Sequence, residues 1–201
     1  MQTEPKCIAI IQGHPDPLGG HFCHALAEAY ARGAGESGHD VRHIDVARLE
    51  FPFLRSRADQ HDATPEVIAQ AQRIIAVSDH IVMLFPIWNG GTPAVLRGFL
   101  EQVFRPAFVF PDFRPGEHLG FFSYFTQKKA LTGKSARIIA TMQMPGFFYR
   151  WYFRPHTEKN ILSVGGLGPI RESLVGLVES RDGRRRERWL RKMYQLGREG
   201  R

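Results

Sequence analysis

Three short apolar runs, Cys7 to Ile11, Ile81 to Phe85 and Arg137 to Thr141, lack the alternation of a half-exposed strand and read as strands buried on both faces, as in parallel sheets. Each is followed by turn residues and then by a stretch of helical period. After the first run, Phe22, Ala25, Leu26, Ala29, Tyr30 and Gly33 fall at i, i+3, i+4 spacing, and Gly38 suits a helix end, which predicts a helix over about 21–36. Val41 to Val46 alternates loosely enough for a second strand. Thr64-Pro65-Glu66 supplies an N-cap, an N1 proline and an early acid for a helix running to about Ser78, and Thr92-Pro93 repeats the start signal. The helix after it carries Val95, Leu96, Phe99, Leu100, Val103 and Phe104 on one side, a broad core-facing stripe. Ile170 to Val178 is the fifth predicted strand.

Five strands alternating with helices predict a doubly wound α/β sheet with helices on both faces, in the flavodoxin-like order 2-1-3-4-5. At 201 residues and 43% hydrophobic, the chain can bury the core of one large domain. Residues 105–134 carry Pro, Gly and Phe without a clear period, long for a connection in a compact domain, and read as an excursion lining a pocket or a subunit interface.

The formal net charge of +7 raises the question of nucleic acid or membrane binding. Residues 181–201 hold nine Lys or Arg against three acids, leaving 18 basic and 17 acidic residues in the first 180. The basicity is thus a C-terminal feature. A helix at about 181–198 places Trp189, Met193 and Leu196 at helical spacing with charge opposite, and reads as a solvated amphipathic closing helix rather than a nucleic-acid module. No apolar run approaches the roughly 20 residues that span a bilayer, and the N-terminus lacks the pattern of a signal peptide, so the expected location is cytoplasmic. Cys7 and Cys23 lack CxxC spacing, so redox chemistry would have to come from a bound cofactor.

In open parallel sheets ligands bind beyond the carboxyl ends of strands where their order reverses, here the loops after strands 1, 3 and 4. The first, Gly13 to His21, runs from a buried strand into a helix N-terminus, where amides and helix dipole can hold a phosphate, with His14 and His21 as added donors. It matches neither GxGxxG nor GxxxxGK[ST], and taken alone it serves equally as an ordinary turn. A metal site at His14, His21, Cys23 and His24 lacks carboxylate partners, and His24 is expected on a different helix face from His21's immediate neighbours. The second loop, Pro86 to Thr92, joins Trp88 to adjacent glycines, as a shelf for a flat ligand requires; Trp88 alone would pack as well against the long connection. The third, Met142 to Tyr149, leads into Phe147, Phe148, Tyr149, Trp151, Tyr152 and Phe153 with His156 beyond, a composition that suits an aromatic substrate or a dimer interface.

At these residues the chain resembles the NAD(P)H:quinone oxidoreductase family of flavodoxin-like proteins, which includes bacterial modulators of drug activity and ancillary flavoprotein subunits of potassium efflux systems. The motifs that carry the resemblance are Gly13-His14-Pro15 with Phe22 and Ala25-Leu26, Ala76 to Val82 leading into Phe85-Pro86-Ile87-Trp88, and Thr92-Pro93-Ala94-Val95-Leu96-Arg97-Gly98-Phe99. Gly133 to Arg137 and Thr141-Met142 with Tyr149 downstream continue the match. The resemblance implies a homodimer with a flavin in each of two interfacial sites, FAD before FMN, and a ping-pong reaction in which NAD(P)H delivers hydride to flavin N5 before a small aromatic acceptor such as a quinone takes its place. It further implies that His14, His21 and Phe22 hold the phosphate side, Pro86, Ile87, Trp88 and Asn89 the ring, and Thr141, Met142 and Gln143 its other edge. Tyr149 and His156 would face nicotinamide and acceptor as catalytic groups. A flavin-bound regulatory subunit of a membrane transporter is the alternative, its basic tail meeting the partner. Two departures stand out: Gly19-Gly20-His21 precedes Phe22 where the family often has Ser or Thr, and Gln143-Met144 replaces a Gly-Gly pair.

Overall fold

A computed structural model describes residues 4–114, 126–152, 157–180 and 182–201. Five parallel strands form one sheet in the order β2-β1-β3-β4-β5: β1 Cys7–Gln12, β2 Asp40–Asp45, β3 His80–Pro86, β4 Ser135–Thr141 and β5 Ile170–Val175. The doubly wound order 2-1-3-4-5 read from the apolar runs is the order observed. Among the described residues the helices flanking it are α1 Phe22–Glu36, α2 Glu66–Val77, α3 Ala94–Val103, α4 Pro106–Val109, α5 Gly146–Tyr152, α6 Thr157–Val164 and α7 Gly183–Arg198.

Both faces of the central strands are buried, which is why their sequences do not alternate. Ala9, Ile11, Ile81, Met83 and Phe85 pack beneath Ile68, Ile75, Leu96, Phe99 and Val103 of α2 and α3. On the other face Ile8, Ile10, Val82 and Leu84 pack against Leu26 and Tyr30 of α1 and Met193 and Leu196 of α7. Full burial of each large apolar side chain contributes about 1.5–3 kcal/mol.

The predicted starts of α2 and α3 are each displaced by one residue. Pro65 and Pro93 stand at the N-cap instead of N1, with extended ψ of 141° and 143°, and no side chain caps either helix. Pro65 fills the role through its carbonyl, which accepts from the amides of Ile68 and Ala69. β5 ends at Val175 rather than Val178, because Leu177 takes a left-handed φ of 57° and turns the chain onto the loop after β4, its amide donating to the Met144 carbonyl at 3.3 Å. The described ends of the 105–134 excursion are anchored in the core by Val109, Phe110 and Leu131; residues 115–125 lie outside the described residues.

α7 is more tightly held than a solvated closing helix requires. A Cβ on Gly33 would lie 2.0 Å from the Tyr194 carbonyl oxygen, and one on Gly197 2.1 Å from that of Tyr30, so α1 and α7 touch backbone to backbone. Asp182 caps α7 by accepting from the amides of Arg184 and Arg185. Among the described residues no helix is long and apolar enough to cross a membrane.

Candidate functional site

At the carboxyl ends of β1, β3 and β4 the chain encloses a cleft of ≈ 1290 Å³. His14, His21, Phe22, Pro86, Ile87, Trp88, Asn89, Thr141, Met142 and Gln143, the residues assigned to cofactor binding from sequence, all line it. They come from three loops, which meet because β1, β3 and β4 are adjacent in the sheet.

One end of the cleft is the N-terminus of α1. His21 occupies the N-cap without a side-chain cap and no acid lies in the first turn, so the first amides and the positive dipole end face the cleft. Gly19 and Gly20 precede it with φ of 79° and 78°, and a Cβ on either would meet nothing within 4 Å, so backbone here stands open to a ligand.

Three imidazoles gather at this end. The His14 and His21 rings stack 4.0 Å apart at 18°, and His24 lies 4.9 Å from His14 and 5.7 Å from His21. His24 thus joins the cluster, contrary to the different-face expectation, since residues three apart on a helix are neighbours. His14 is pinned locally: its amide donates to Gln12 Oε1 at 3.1 Å and its Nδ1 accepts from the Asp16 amide at 3.1 Å. With Nδ1 an acceptor, the neutral ring carries its proton on Nε2. Burial first, then the neighbouring His21 and His24, hold its pKa down at about 4. His24 is lowered as well, again mainly by burial. Asp16 bridges to His21 Nε2 at 2.7 Å and accepts from the Leu18 amide, and these bonds keep its carboxyl below the usual range. Among the described residues no three His, Cys, Asp or Glu side chains are grouped to hold a metal ion.

The other end is a tight hairpin. Trp88 and Gly91 exchange both backbone hydrogen bonds, at 2.9 and 3.0 Å, around Asn89 and Gly90 with φ of 49° and 83°. Two left-handed central residues make a type I′ turn, and Asn-Gly is the pair that tolerates it. The turn leaves Trp88 54% exposed above the cleft, its ring T-shaped to His14 at 6.4 Å. The Ile87 amide donates to the Thr141 carbonyl at 2.7 Å, joining this loop to the end of β4.

Tyr149 is buried behind the hairpin, outside the cleft lining. Its hydroxyl donates to the Gly90 carbonyl at 3.4 Å, and burial pushes its pKa up to about 12. His156 lies outside the described residues. Around Tyr149, Phe147, Trp151 and Tyr152 of α5 are exposed, and beside them a second cleft of ≈ 960 Å³ opens between α5, β5 and α7.

Two charged lining residues escape the sequence reading. Glu179 accepts a hydrogen bond from Gln143, and Arg186 of α7 places its guanidinium 4.9 Å from the centroid of the Phe22 ring, a cation–π distance. Neither has a local signal: Arg186 is one of a run of arginines, and only the docking of α7 on α1 aims it at the cleft.

A family model described as a flavodoxin-like fold matches residues 6–192. A Haemophilus influenzae protein named an uncharacterized NAD(P)H oxidoreductase is 30% identical over 115 residues, 55% of this chain and 56% of its own length. An FMN-dependent NADH:quinone oxidoreductase of Ruegeria pomeroyi is 27% identical over 118 residues, 50% of this chain and 58% of its own. The chain therefore matches little more than half the length of these curated relatives. The solved NAD(P)H:quinone oxidoreductase of Methanothermobacter marburgensis superposes with a TM-score of 0.75 at 18% identity, covering 96% of this chain and 95% of that one, a likeness of fold. Relatives so named are the kind of protein that the loop motifs resemble.

Proposed function

The chain belongs to the flavodoxin-like family, and from that premise we propose that it is a flavin-dependent NAD(P)H oxidoreductase that reduces a quinone or a similar small aromatic acceptor. The observation that carries this reading is the cleft itself: a helix N-terminus free of any side-chain cap, with open glycine backbone, at one end and an aromatic-topped hairpin at the other, joined through His14. That arrangement fits a ligand with an anionic tail and a flat ring. We favour FMN over the FAD that the resemblance put first, because a relative is named for FMN dependence. Bound there, the flavin would supply the two-electron step, accepting hydride from NAD(P)H and passing it to the acceptor.

The chain's own residues bind and orient. The amides at the start of α1, His14, His21 and Arg186 hold the phosphate, the last contributing a fixed positive charge. Pro86 to Asn89 address the ring by backbone and shape, with Thr141, Met142 and Gln143 along its other edge. Trp88 gives the alternating nicotinamide and acceptor a surface to stack on. Tyr149 acts through the hairpin as a positioning residue, and His156 is retained as a candidate for proton handling on the resemblance alone. The exposed aromatics of α5 favour a homodimer in which this patch is covered.

The test is to purify the protein, record its visible spectrum with and without added FMN or FAD, and follow NADH and NADPH oxidation with menadione as acceptor. Flavin absorbance with menadione-dependent turnover is expected. No flavin absorbance and no uptake of either flavin would overturn the reading.

A further inference from the structure

The histidine cluster contains more ionisable groups than phosphate binding by helix amides requires. At 4.0 Å, face to face, His14 and His21 cannot both be charged at modest cost, and His24 lies within 6 Å of each. His24 Nδ1 is also buried without a hydrogen-bond partner, which leaves that ring an unused protonation site. Among the described residues, charged groups face the cluster from its own loop, from β2, from α1 and from the α7 side. Asp16 in the same loop and Asp45 at the end of β2 attract a proton, as does Glu28 on α1. Asp45 is itself paired to Arg48 at 3.0 Å, and Asp16 already serves His21 and the Leu18 amide. Arg186, over Phe22, and Glu179, bonded to Gln143, close the α7 side. Cys23 is buried, and its thiol is pushed up to about 12, so it stays neutral.

We propose that His14, His21 and His24 form a proton-accepting cradle for a phosphate monoester, the cluster taking up a single proton from solvent when the dianion docks at the N-terminus of α1. The inference rests on the flavin reading above and deepens it by assigning the charge state of the phosphate end.

The physics has two parts. In the empty cleft burial and mutual repulsion keep His14 and His24 neutral at pH 7. A dianion within a few ångströms reverses the balance, because an opposite charge at that distance favours the charged imidazole. Stacking limits the gain to one proton, and the coupled rings hold it jointly. Affinity for the phosphate then falls as pH rises, approaching tenfold per pH unit for a full proton. A phosphate held only by amides and neutral N–H groups behaves oppositely: its affinity is level, or rises through about pH 6 as the monoester itself ionises.

Isothermal titration of the flavin-free full chain with FMN, in two buffers of different ionisation enthalpy at about pH 7.5, where the monoester is already dianionic, reads proton uptake directly. Riboflavin, which lacks the phosphate, is the control. Uptake approaching one proton for FMN and none for riboflavin, with a Kd for FMN that rises three- to tenfold from pH 7.5 to 8.5, is the expected result. In His24→Asn and His21→Asn variants, checked for folding by circular dichroism, uptake should fall by half or more. Zero uptake, proton release, or equal uptake with riboflavin would overturn the cradle while leaving the flavin reading intact. If neither ligand binds, both fall together.

Discussion

At the α1 end of the cleft most contacts come from one short stretch of chain, Gln12 to His24, whereas at the hairpin end Trp88, Thr141 and Tyr149 arrive from three separate segments. The first end is a loop organising itself: His14, Asp16 and His21 fix one another within a few residues. The second depends on tertiary contacts, since the Asn89-Gly90 turn sits on Tyr149 and Ile87 hangs on the Thr141 carbonyl. The difference teaches where each end is vulnerable. Local contacts survive a loosened fold; converging ones do not.

Arg186 is a long-range contact at the α1 end, and the largest expected effect breaks the rule there. Gly197→Ala drives a Cβ to 2.1 Å from the Tyr30 carbonyl, backbone that cannot move aside. Separating α1 from α7 should cost about 3 kcal/mol, more than the ~1 kcal/mol gained in helix propensity. Thermal denaturation should show a Tm lower by roughly 4–8 °C for the net loss of about 2 kcal/mol, and FMN binding should weaken with it. An unchanged Tm would mean that α1 and α7 leave room for a methyl group between Gly197 and Tyr30.

Removing only the charge sharpens the comparison. Arg186→Gln should weaken FMN about tenfold while leaving riboflavin unchanged, as expected for a partly screened charge–phosphate contact. Equal loss for both ligands in a binding titration would place Arg186 at the ring.

The hairpin end is addressed by Tyr149→Phe, which removes the hydroxyl from Gly90 and should cost about 1 kcal/mol by chemical denaturation. The sign of its pH behaviour is fixed. With a pKa raised to about 12 the phenol stays protonated through the neutral range, so the pH profile of turnover between about pH 6 and 9 should be the same in wild type and variant. A profile that loses a limb in the variant would make Tyr149 a proton donor. The smallest effect is Trp88→Ala: stability should hold within about 0.5 kcal/mol because the ring is largely exposed, while KM for the acceptor rises several-fold.

Much of the fold was legible. β1, β3 and β4 announce themselves as uninterrupted apolar runs because both their faces are covered, and the period-3.6 stripes of α1 and α3 follow from burying one face. The cleft-lining residues of the three loops were legible too, since strand order alone dictates which loops meet. Boundaries were less so: Pro65 and Pro93 stand at the N-cap without any capping side chain, one residue before the position their ring prefers, and β5 stops early because Leu177 adopts a conformation its identity disfavours. The resemblance implies that Tyr149 faces nicotinamide and acceptor, whereas α5 buries it with its hydroxyl on the Gly90 carbonyl.

By itself, then, the sequence determined the alternation of buried strands and amphipathic helices, the position of the cleft at the strand ends, and the Gly-rich, histidine-bearing loop before α1. These follow from local periodicity and turn chemistry, which short stretches of chain encode. Only the tertiary structure decided that three histidine rings gather within 6 Å of one another, that Arg186 from a basic tail reaches Phe22, and that Tyr149 supports the hairpin. Each of these depends on the distance between residues from different elements or on the burial that packing imposes, and neither quantity is a property of any stretch of chain taken alone.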